Sequence, residues 1–288
     1  PRWTMPVTAA ILVFGVVGIV FASSYSDRRI EAVYGESLVG SQMWRETLKT
    51  GDMGARLTAR MDDLPQDAAL ATDWEQVTIL WYEQNVEGTR PDLNIFYPIE
   101  RYTDYESTET PVCLSRHLPV SEDWHPTNIG ALICLNRQPN FTLPDGMIPV
   151  ERTLFDADGN RLLQLAGFLW NGDKIQAGTR APLSLVWRAA DDIPVDYSIS
   201  LQVLTNDYQV YWQRDIAHPV MGMYPVSRWE TGEVVEDYHE IDVPRTMPPG
   251  QHFWSVVVYR QAEDGSFVQL RDSDGNVNII GSAFTVTP

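Results

Sequence analysis

The second half of the chain alternates apolar and polar residues in short runs separated by turn residues, and this pattern restricts the possible fold more than any other feature. Leu183, Leu185 and Trp187 occupy every second position of one run, and residues 199–203 repeat the period. Successive side chains of a strand lie on opposite faces, so this spacing predicts strands with one buried face. About eight such runs follow residue 150, which predicts an antiparallel β-sandwich, Ig-like or jelly-roll-like, over residues 146–288.

The turns between these runs carry the residues that tight hairpins require. The sequences FDADGNR, AEDGSF and RDSDGNV contain Asp-Gly or Gly-Asn pairs, which tolerate the positive φ angles of hairpin turns. They also resemble fragments of calcium-binding loops, but none continues to a Glu at the required spacing. The five histidines likewise show no ligand spacing. We therefore predict no metal site and no cofactor.

Residues 27–145 show a different pattern, in which short apolar runs flank a helix. The predicted elements are a strand at residues 68–72, a helix at 74–86 and strands at 93–97, 112–118 and 131–136. A strand, a helix and a strand within about thirty residues imply parallel pairing through a right-handed crossover. The sequence therefore predicts a small Rossmann-like α/β domain with a parallel sheet, and the whole chain as an α+β multidomain protein.

A candidate ligand site lies beyond the carboxyl ends of the predicted parallel strands, where such sheets bind ligands. These ends carry Asp73, Arg116 and His117. The first strand-to-helix turn, ATDWEQ, has no glycine that would let the backbone cradle a phosphate, so nucleotide binding is disfavoured. The three side chains stay candidates for another polar ligand. The structural alternative is that Asp73 caps the helix, Arg116 pairs with a carboxylate and His117 is an ordinary surface imidazole.

The two cysteines, Cys113 and Cys134, each lie in a strand-like run. They show no spacing typical of metal ligands, so outside the cell a single disulfide that closes a loop of about twenty residues is the favoured interpretation. Two buried free thiols are the alternative.

The N-terminal segment contains an uncharged run, MPVTAAILVFGVVGIVFASSY, at residues 5–25. Its length of about twenty residues matches a helix that crosses the hydrocarbon layer. A cleaved secretory signal is the alternative, because the run ends in small residues. We favour a retained span because the run is long and only Arg2 precedes it as a positive charge; a first residue other than Met also suggests the tail of a longer protein. The predicted domains are a transmembrane helix at residues 1–26, an α/β domain at 27–145 and a sandwich at 146–288.

Charge restricts the partners and the location. The formal net charge of −18 arises from 39 acidic and 21 basic residues. A protein that binds nucleic acids needs clustered positive charge, so we predict no nucleic-acid partner. An acidic region rich in Trp and Tyr is typical of surface domains, and we expect a membrane-anchored chain, held in the lipid bilayer by the N-terminal helix, with its bulk extracytoplasmic, at the cell surface or in the periplasm.

The aromatic residues of the predicted sandwich provide candidates for glycan contact. In the stretch MYPVSRWETGEVVEDY these are Tyr224, Arg228 and Trp229, with Trp212 nearby in sequence. Exposed rings flanked by planar hydrogen-bonding groups suit sugar stacking. The alternative, which we favour, is that Trp229 closes the open end of the sandwich while Arg228 hydrogen-bonds a neighbouring loop.

Two segments carry a family resemblance. The first segment reads AALATDWEQVTILWYEQNVEGTRPDLNIFYP and is followed by TPVCLSRHLP. It resembles the extracytoplasmic region after the last membrane span of bacterial polytopic proteins related to protein O-mannosyltransferases, the GT-C glycosyltransferase class. The second segment reads APLSLVWRAADDIPVDYSISLQVL and continues from YPVSRWE onward. It looks like the β-sandwich appended to such proteins. The resemblance implies an accessory role, because the catalytic loop and donor-binding helices of that class have no counterpart here.

No catalytic motif is present either, since the sequence contains no nucleophile elbow, no zinc-binding helix motif and no P-loop. We therefore expect a non-catalytic accessory region of a membrane glycosyltransferase-like protein, with the parent protein as the enzyme. This region would contact an acceptor glycan or act as a scaffold. The alternative is a stand-alone, single-span surface protein or a structural subunit of a membrane complex. The expected partners are thus a glycan or a membrane protein.

Overall fold

Residues 69–136 of the chain form a small mixed sheet in a computed structural model that describes residues 53–288. The strands are β1 (Ala69–Ala71), β2 (Asn94–Phe96), β3 (Val112–Leu114), β4 (His125–Ile129) and β5 (Leu132–Asn136), in the order β2-β1-β3-β5-β4. β1 pairs in parallel with β2 and β3, whereas β5 pairs antiparallel with β3 and β4. Helix α2 (Trp74–Asn85) connects β1 to β2, and a short helix α1 (Met53–Thr58) precedes the sheet.

The prediction of a Rossmann-like α/β domain with a parallel sheet, and with it the α+β class, is wrong, because the described chain is mainly β. A parallel sheet needs a crossover connection between each pair of neighbouring strands. Here α2 is the one α-helix between β1 and β5 in the described chain, and β4 turns directly into β5 at Gly130, whose φ is 57°. The chain therefore returns antiparallel. The 3-10 segments lie at Met61–Asp63, Ile99–Tyr105 and Val226–Arg228.

Residues 148–287 form two further sheets. The strands are β6 (Ile148–Phe155), β7 (Arg161–Trp170), β8 (Lys174–Gln176), β9 (Arg180–Ala189), β10 (Ser198–Leu204), β11 (Val210–Ile216), β12 (Val234–Asp242), β13 (Gly250–Gln261), β14 (Phe267–Gln269) and β15 (Asn278–Thr287). The first sheet has the strand order β12-β9-β7-β6. The second has the order β11-β10-β13-β15-β8, and β14 pairs with β13. A short turn of helix, α3 (Pro219–Gly222), lies between β11 and β12. Pairing is antiparallel except between β15 and β8.

The core lies between these two sheets and continues into the small one. The rings of Phe168 on β7 and Trp254 on β13 meet edge to face with centroids 4.8 Å apart. The same hydrophobic cluster includes Leu114 and Ile133 from the small sheet. Residues Gly54–Pro288 accordingly form one compact unit.

Strand β12 is an edge strand whose free edge is covered by side chains of β4. The backbone N–H of Tyr238 donates to Asn128 Oδ1 at 2.9 Å, and that of Glu236 donates to Thr127 Oγ1 at 3.0 Å. An uncovered edge would expose unpaired backbone groups to other chains. These two side chains thus dock the small sheet onto the sandwich.

The predicted membrane helix at residues 5–25 lies outside the described residues. Within residues 53–288, none of the helices has the length and apolar character needed to span a bilayer. The expectation of a transmembrane, glycosyltransferase-like protein is not borne out by the described part of the chain, which is built mainly from sheets.

Cys113 and Cys134 are joined by a disulfide, with their Cα atoms 4.0 Å apart. They lie directly opposite each other on the antiparallel strands β3 and β5. Both are buried. The bond therefore fixes the centre of the small sheet.

Replacing both cysteines by Ala should lower the free energy of unfolding by about 3 kcal/mol, because the bond restricts the unfolded chain over its 21-residue separation. Urea denaturation of the wild type and the double variant, each with and without reductant, measures this. Reductant should destabilise the wild type and leave the variant unchanged. A wild type with the same midpoint in both buffers would contradict the prediction.

Candidate functional site

The structure brings the first set of predicted site residues together but pairs them with each other. The guanidinium of Arg116 donates to the carboxylate of Asp73, and both side chains are buried. Arg116 also donates from Nη1 to the carbonyl oxygen of His117 at 3.0 Å. Burial, aided by the charge of Arg116, lowers the pKa of His117. Asp73 occupies the N-cap position of α2 without a capping hydrogen bond from its side chain, so its partner is Arg116.

The predicted aromatic site does not form an exposed face. Tyr224 is 0% exposed and Trp229 is 4% exposed, as the interpretation of Trp229 as a core plug predicts. Arg228 donates to the carbonyl oxygens of Glu122 and, at 2.9 Å, Trp124, so it holds a neighbouring loop. Trp212 is half-buried and packs against the core. These four residues are structural in the described fold.

Tyr224 belongs instead to a buried polar cluster that sequence analysis missed. Its hydroxyl donates to Glu233 Oε1 at 2.9 Å and lies 2.7 Å from His125 Nδ1. Burial raises the pKa of Glu233, although its hydrogen bonds oppose the shift. Burial and the neighbouring Glu233 carboxylate also raise the pKa of Tyr224. The cluster joins β4 to the turn before β12 and is largely closed to solvent, so it ties the two regions together.

An open polar groove of about 850 Å³ lies next to this cluster's strands. Its walls come from β4, β5, the loop at residues 136–145 and the start of β12. The main lining side chains are Arg60, Asp63, Thr127, Asn128, Asn136, Arg137, Gln138, Asn140, Thr142, Leu143, Asp145, Val234 and Glu236. Such a concave site with convergent polar groups is the first candidate for ligand binding in a protein without a known ligand.

The loop at residues 136–145 is held in place by its own turn and by β12. Asn140 Oδ1 accepts from the backbone N–H of Thr142 at 3.0 Å, and its Nδ2 donates to the Thr142 carbonyl oxygen at 3.0 Å. The N–H of Val234 donates to the Asn140 carbonyl oxygen at 2.6 Å. Asn favours such local turns because its short side chain can bond nearby backbone. The groove wall is therefore preformed.

The charged groups on the groove floor neutralise one another. Arg60 contacts Asp63 through Nε at 2.6 Å and Glu236 through Nη1 at 2.5 Å. Glu236 also accepts from the N–H of Gly130 at 3.3 Å. Burial raises the pKa of Glu236, and Arg60 opposes that shift. The floor therefore presents an ion pair rather than a free charge.

The second arginine of the groove is also engaged. The guanidinium of Arg137 lies 3.7 Å from the centroid of the Trp124 ring. Its Nη2 donates to the carbonyl oxygens of Tyr105, at 3.0 Å, and Glu106. Stacking and these bonds together occupy the face and one nitrogen of the group. Arg137 thus anchors the loop before β3.

The uncommitted side chains of the groove are mainly neutral. Asn136 and Gln138 make no side-chain hydrogen bond to any residue of the described part of the chain, and Asp145 makes neither a hydrogen bond nor an ion pair there. Amides donate and accept equally well. Among residues 53–288, no group of three or more His, Cys, Asp and Glu side chains is arranged to hold a metal ion. These side chains offer mainly hydrogen bonds to a polar ligand.

Comparison with known proteins gives no family. No family model matches the chain, and no curated protein matches it. Among solved structures, the C-terminal domain of wzt is 11% identical over 50% of this chain and 83% of its own, with a TM-score of 0.34. A Niemann-Pick type C2 protein from Japanese carpenter ant is 8% identical over 46% and 98%, with a TM-score of 0.27.

A beta-glucosidase from Listeria innocua is 10% identical over 45% of this chain and 17% of its own, with a TM-score of 0.26. Likenesses at these TM-scores support no inference about function. The resemblance to GT-C-related proteins gains no support from them.

Glu233 should make stability depend on pH. A carboxyl whose folded-state pKa is raised favours folding while protonated, so its contribution is fully present below the unfolded pKa, near 4.5, and is lost as pH rises through the folded value. The free energy of unfolding of the wild type, relative to Glu233→Gln, should therefore fall between about pH 4 and 7. Urea denaturation across this range measures the difference.

The control is Glu263→Gln, at an exposed position, whose difference from the wild type should not vary with pH. A constant difference between the wild type and Glu233→Gln would show that the buried carboxyl does not titrate as expected.

Proposed function

We propose that the described part of the chain is a non-catalytic binding module whose groove takes a neutral carbohydrate. The observation that carries this proposal is the difference between the charged groove side chains that bond within the protein and two groove amides that make no such bond. Arg60 and Glu236 form an ion pair and Arg137 stacks on Trp124, while the amides of Asn136 and Gln138 remain for a ligand. Sugar hydroxyls both donate and accept hydrogen bonds, which matches amide side chains.

Charge supports a neutral rather than an acidic ligand. The chain carries a net charge of −18, and the groove adds the exposed carboxylate of Asp145, which makes no ion pair within the described chain, while the guanidinium of Arg137 is stacked on Trp124. An anionic ligand would be repelled by this field. A carboxylate can accept from sugar hydroxyls without such a penalty.

Geometry argues against glycoside hydrolysis in the groove. That reaction requires two carboxyl groups that flank the scissile bond. The two acids on the floor, Asp63 and Glu236, both bind the guanidinium of Arg60. The arginine therefore occupies the position that a substrate would need between them.

Protein assembly is a second candidate function, favoured by a separate observation. Helix α2 and the end of β2 expose large apolar side chains, and exposed apolar patches mark interaction surfaces. These are Trp74, Trp81, Tyr82, Val86 and Tyr97. In this case the chain would act as a structural subunit and the groove would be incidental.

A glycan array followed by titration calorimetry tests the groove. Neutral oligosaccharides should bind the wild type, and Asn136→Ala combined with Gln138→Ala should weaken binding about tenfold, since two hydrogen bonds of about 0.7 kcal/mol each are lost. Gln251→Ala, which removes an exposed amide on β13, is the matched control and should bind like the wild type.

Two results would contradict the proposal. One is an array without any neutral glycan bound by the wild type. The other is unchanged affinity in the double variant. Loss of complex formation in Trp74→Ala, with no glycan bound by the wild type, would favour assembly instead.

A further inference from the structure

The outer face of the six-stranded sheet carries a second polar surface, separate from the groove. On β13, Trp254, Val256 and Val258 belong to the core. The alternate residues of the strand, from Phe253 to Tyr259, therefore lie on the opposite face. Their partners on β10 are aligned without a bulge from Leu204 opposite Phe253 to Ser198 opposite Tyr259, so the two strands present one continuous face.

Aromatic pairs lie at both ends of this surface. Tyr208 stacks on Phe253 with centroids 5.4 Å apart, and Tyr259 meets Phe267 edge to face at 5.5 Å. Tyr208 is 56% exposed and Phe267 is 66% exposed. Phe253 and Tyr259 are six positions apart on one strand, so the pairs are separated by about 20 Å.

The amides of Gln202 and Gln213 lie between the aromatic pairs, next to the buried Ser255 and Val257 of β13. Gln202 receives a bond from Ser255 Oγ at 3.4 Å and donates to Gln213 Oε1 at 3.5 Å. These distances are at the outer limit for hydrogen bonds. A ligand that approached more closely could replace them without leaving any protein group unpaired.

We infer that this surface, the β13 strip (Tyr208, Phe253, Gln202, Gln213, Tyr259 and Phe267), binds an extended, uncharged polysaccharide chain. Aromatic rings at the ends offer apolar faces for sugar rings, and the central amides offer hydrogen bonds to hydroxyls. Aromatic pairs separated by about 20 Å suit the length of a chain rather than a chain end.

The negative charge near the strip favours a neutral polysaccharide over polyanions. Asp215 lies beside the strip and accepts from Gln213 Nε2 at 2.9 Å. Together with the net charge of −18, this carboxylate opposes nucleic acids and acidic polysaccharides. A neutral polysaccharide meets no such opposition. The strip uses none of the groove residues, so the inference stands or falls independently of the proposed function.

Affinity gel electrophoresis of the full chain, in gels that contain soluble β-glucan, xylan, mannan or galactomannan, tests the strip. At least one of these polymers should retard the wild type. Tyr208→Ala combined with Phe267→Ala should weaken binding about tenfold, and Gln202→Leu combined with Gln213→Leu should act in the same direction. Phe141→Ala removes a similarly exposed aromatic ring elsewhere and should leave retardation unchanged.

Ligand length gives a second readout. Oligosaccharides long enough to reach both aromatic pairs should bind more tightly than disaccharides of the same polymer, which can reach only one. The groove variant Asn136→Ala with Gln138→Ala should retain polymer binding, which separates the two sites.

Three results would overturn the inference: no retardation of the wild type by any of the four polymers, equal retardation of the wild type and the aromatic double variant, or loss of retardation in Phe141→Ala as well. Concentration-dependent self-association that is abolished by Tyr208→Ala with Phe267→Ala, without polymer binding, would assign the strip to contact between copies of the chain.

Discussion

Neutralisation of the acidic side chains of β12 is the constraint on which the rest of the described structure depends. A buried carboxylate costs several kcal/mol unless it is protonated, paired or hydrogen-bonded. Each buried acid in and just before this strand has a specific partner, which for Glu233, Glu236 and Glu240 comes from another segment of the chain. The pairs are Glu233 with Tyr224, Glu236 with Arg60, Asp237 with His239, and Glu240 with Arg56.

These partners explain how the regions of the described chain are joined. Arg56 and Arg60 come from the segment before the small sheet. This segment must therefore lie against β12 for the two arginines to pair with its buried acids. Asp237 Oδ1 in turn accepts from the N–H of Val220 at 2.8 Å. Val220 has a φ of 55°, which is strained for a β-branched residue. The buried acid thus holds a turn that would otherwise relax.

The two proposed carbohydrate surfaces differ in the way that the fold creates them. The groove exists because the small sheet docks beside the β12 edge and leaves a gap that the 136–145 loop only partly fills. The strip needs no docking, since it is the solvent side of a sheet whose inner side forms the core. On β15, Gly281 lies against the Trp254 indole so closely that a Cβ would be 2.1 Å from the ring. The pairing of β13 with β15 shifts register at this point, so the indole on the inner face coincides with an irregularity in the strand that carries the strip.

The sequence by itself determined the strand periodicity, as at Leu183, Leu185 and Trp187, and the parallel pairing of β1 with β2 across α2. Period, turn chemistry and crossover length are local properties, so a linear pattern can carry them. Only the tertiary structure decided that the small sheet is mixed, that Trp229 is buried and that Glu236 meets Arg60, 176 positions away. Such pairings depend on which surfaces meet after folding. No local pattern records this, because any of 39 acids could have met any of 21 bases.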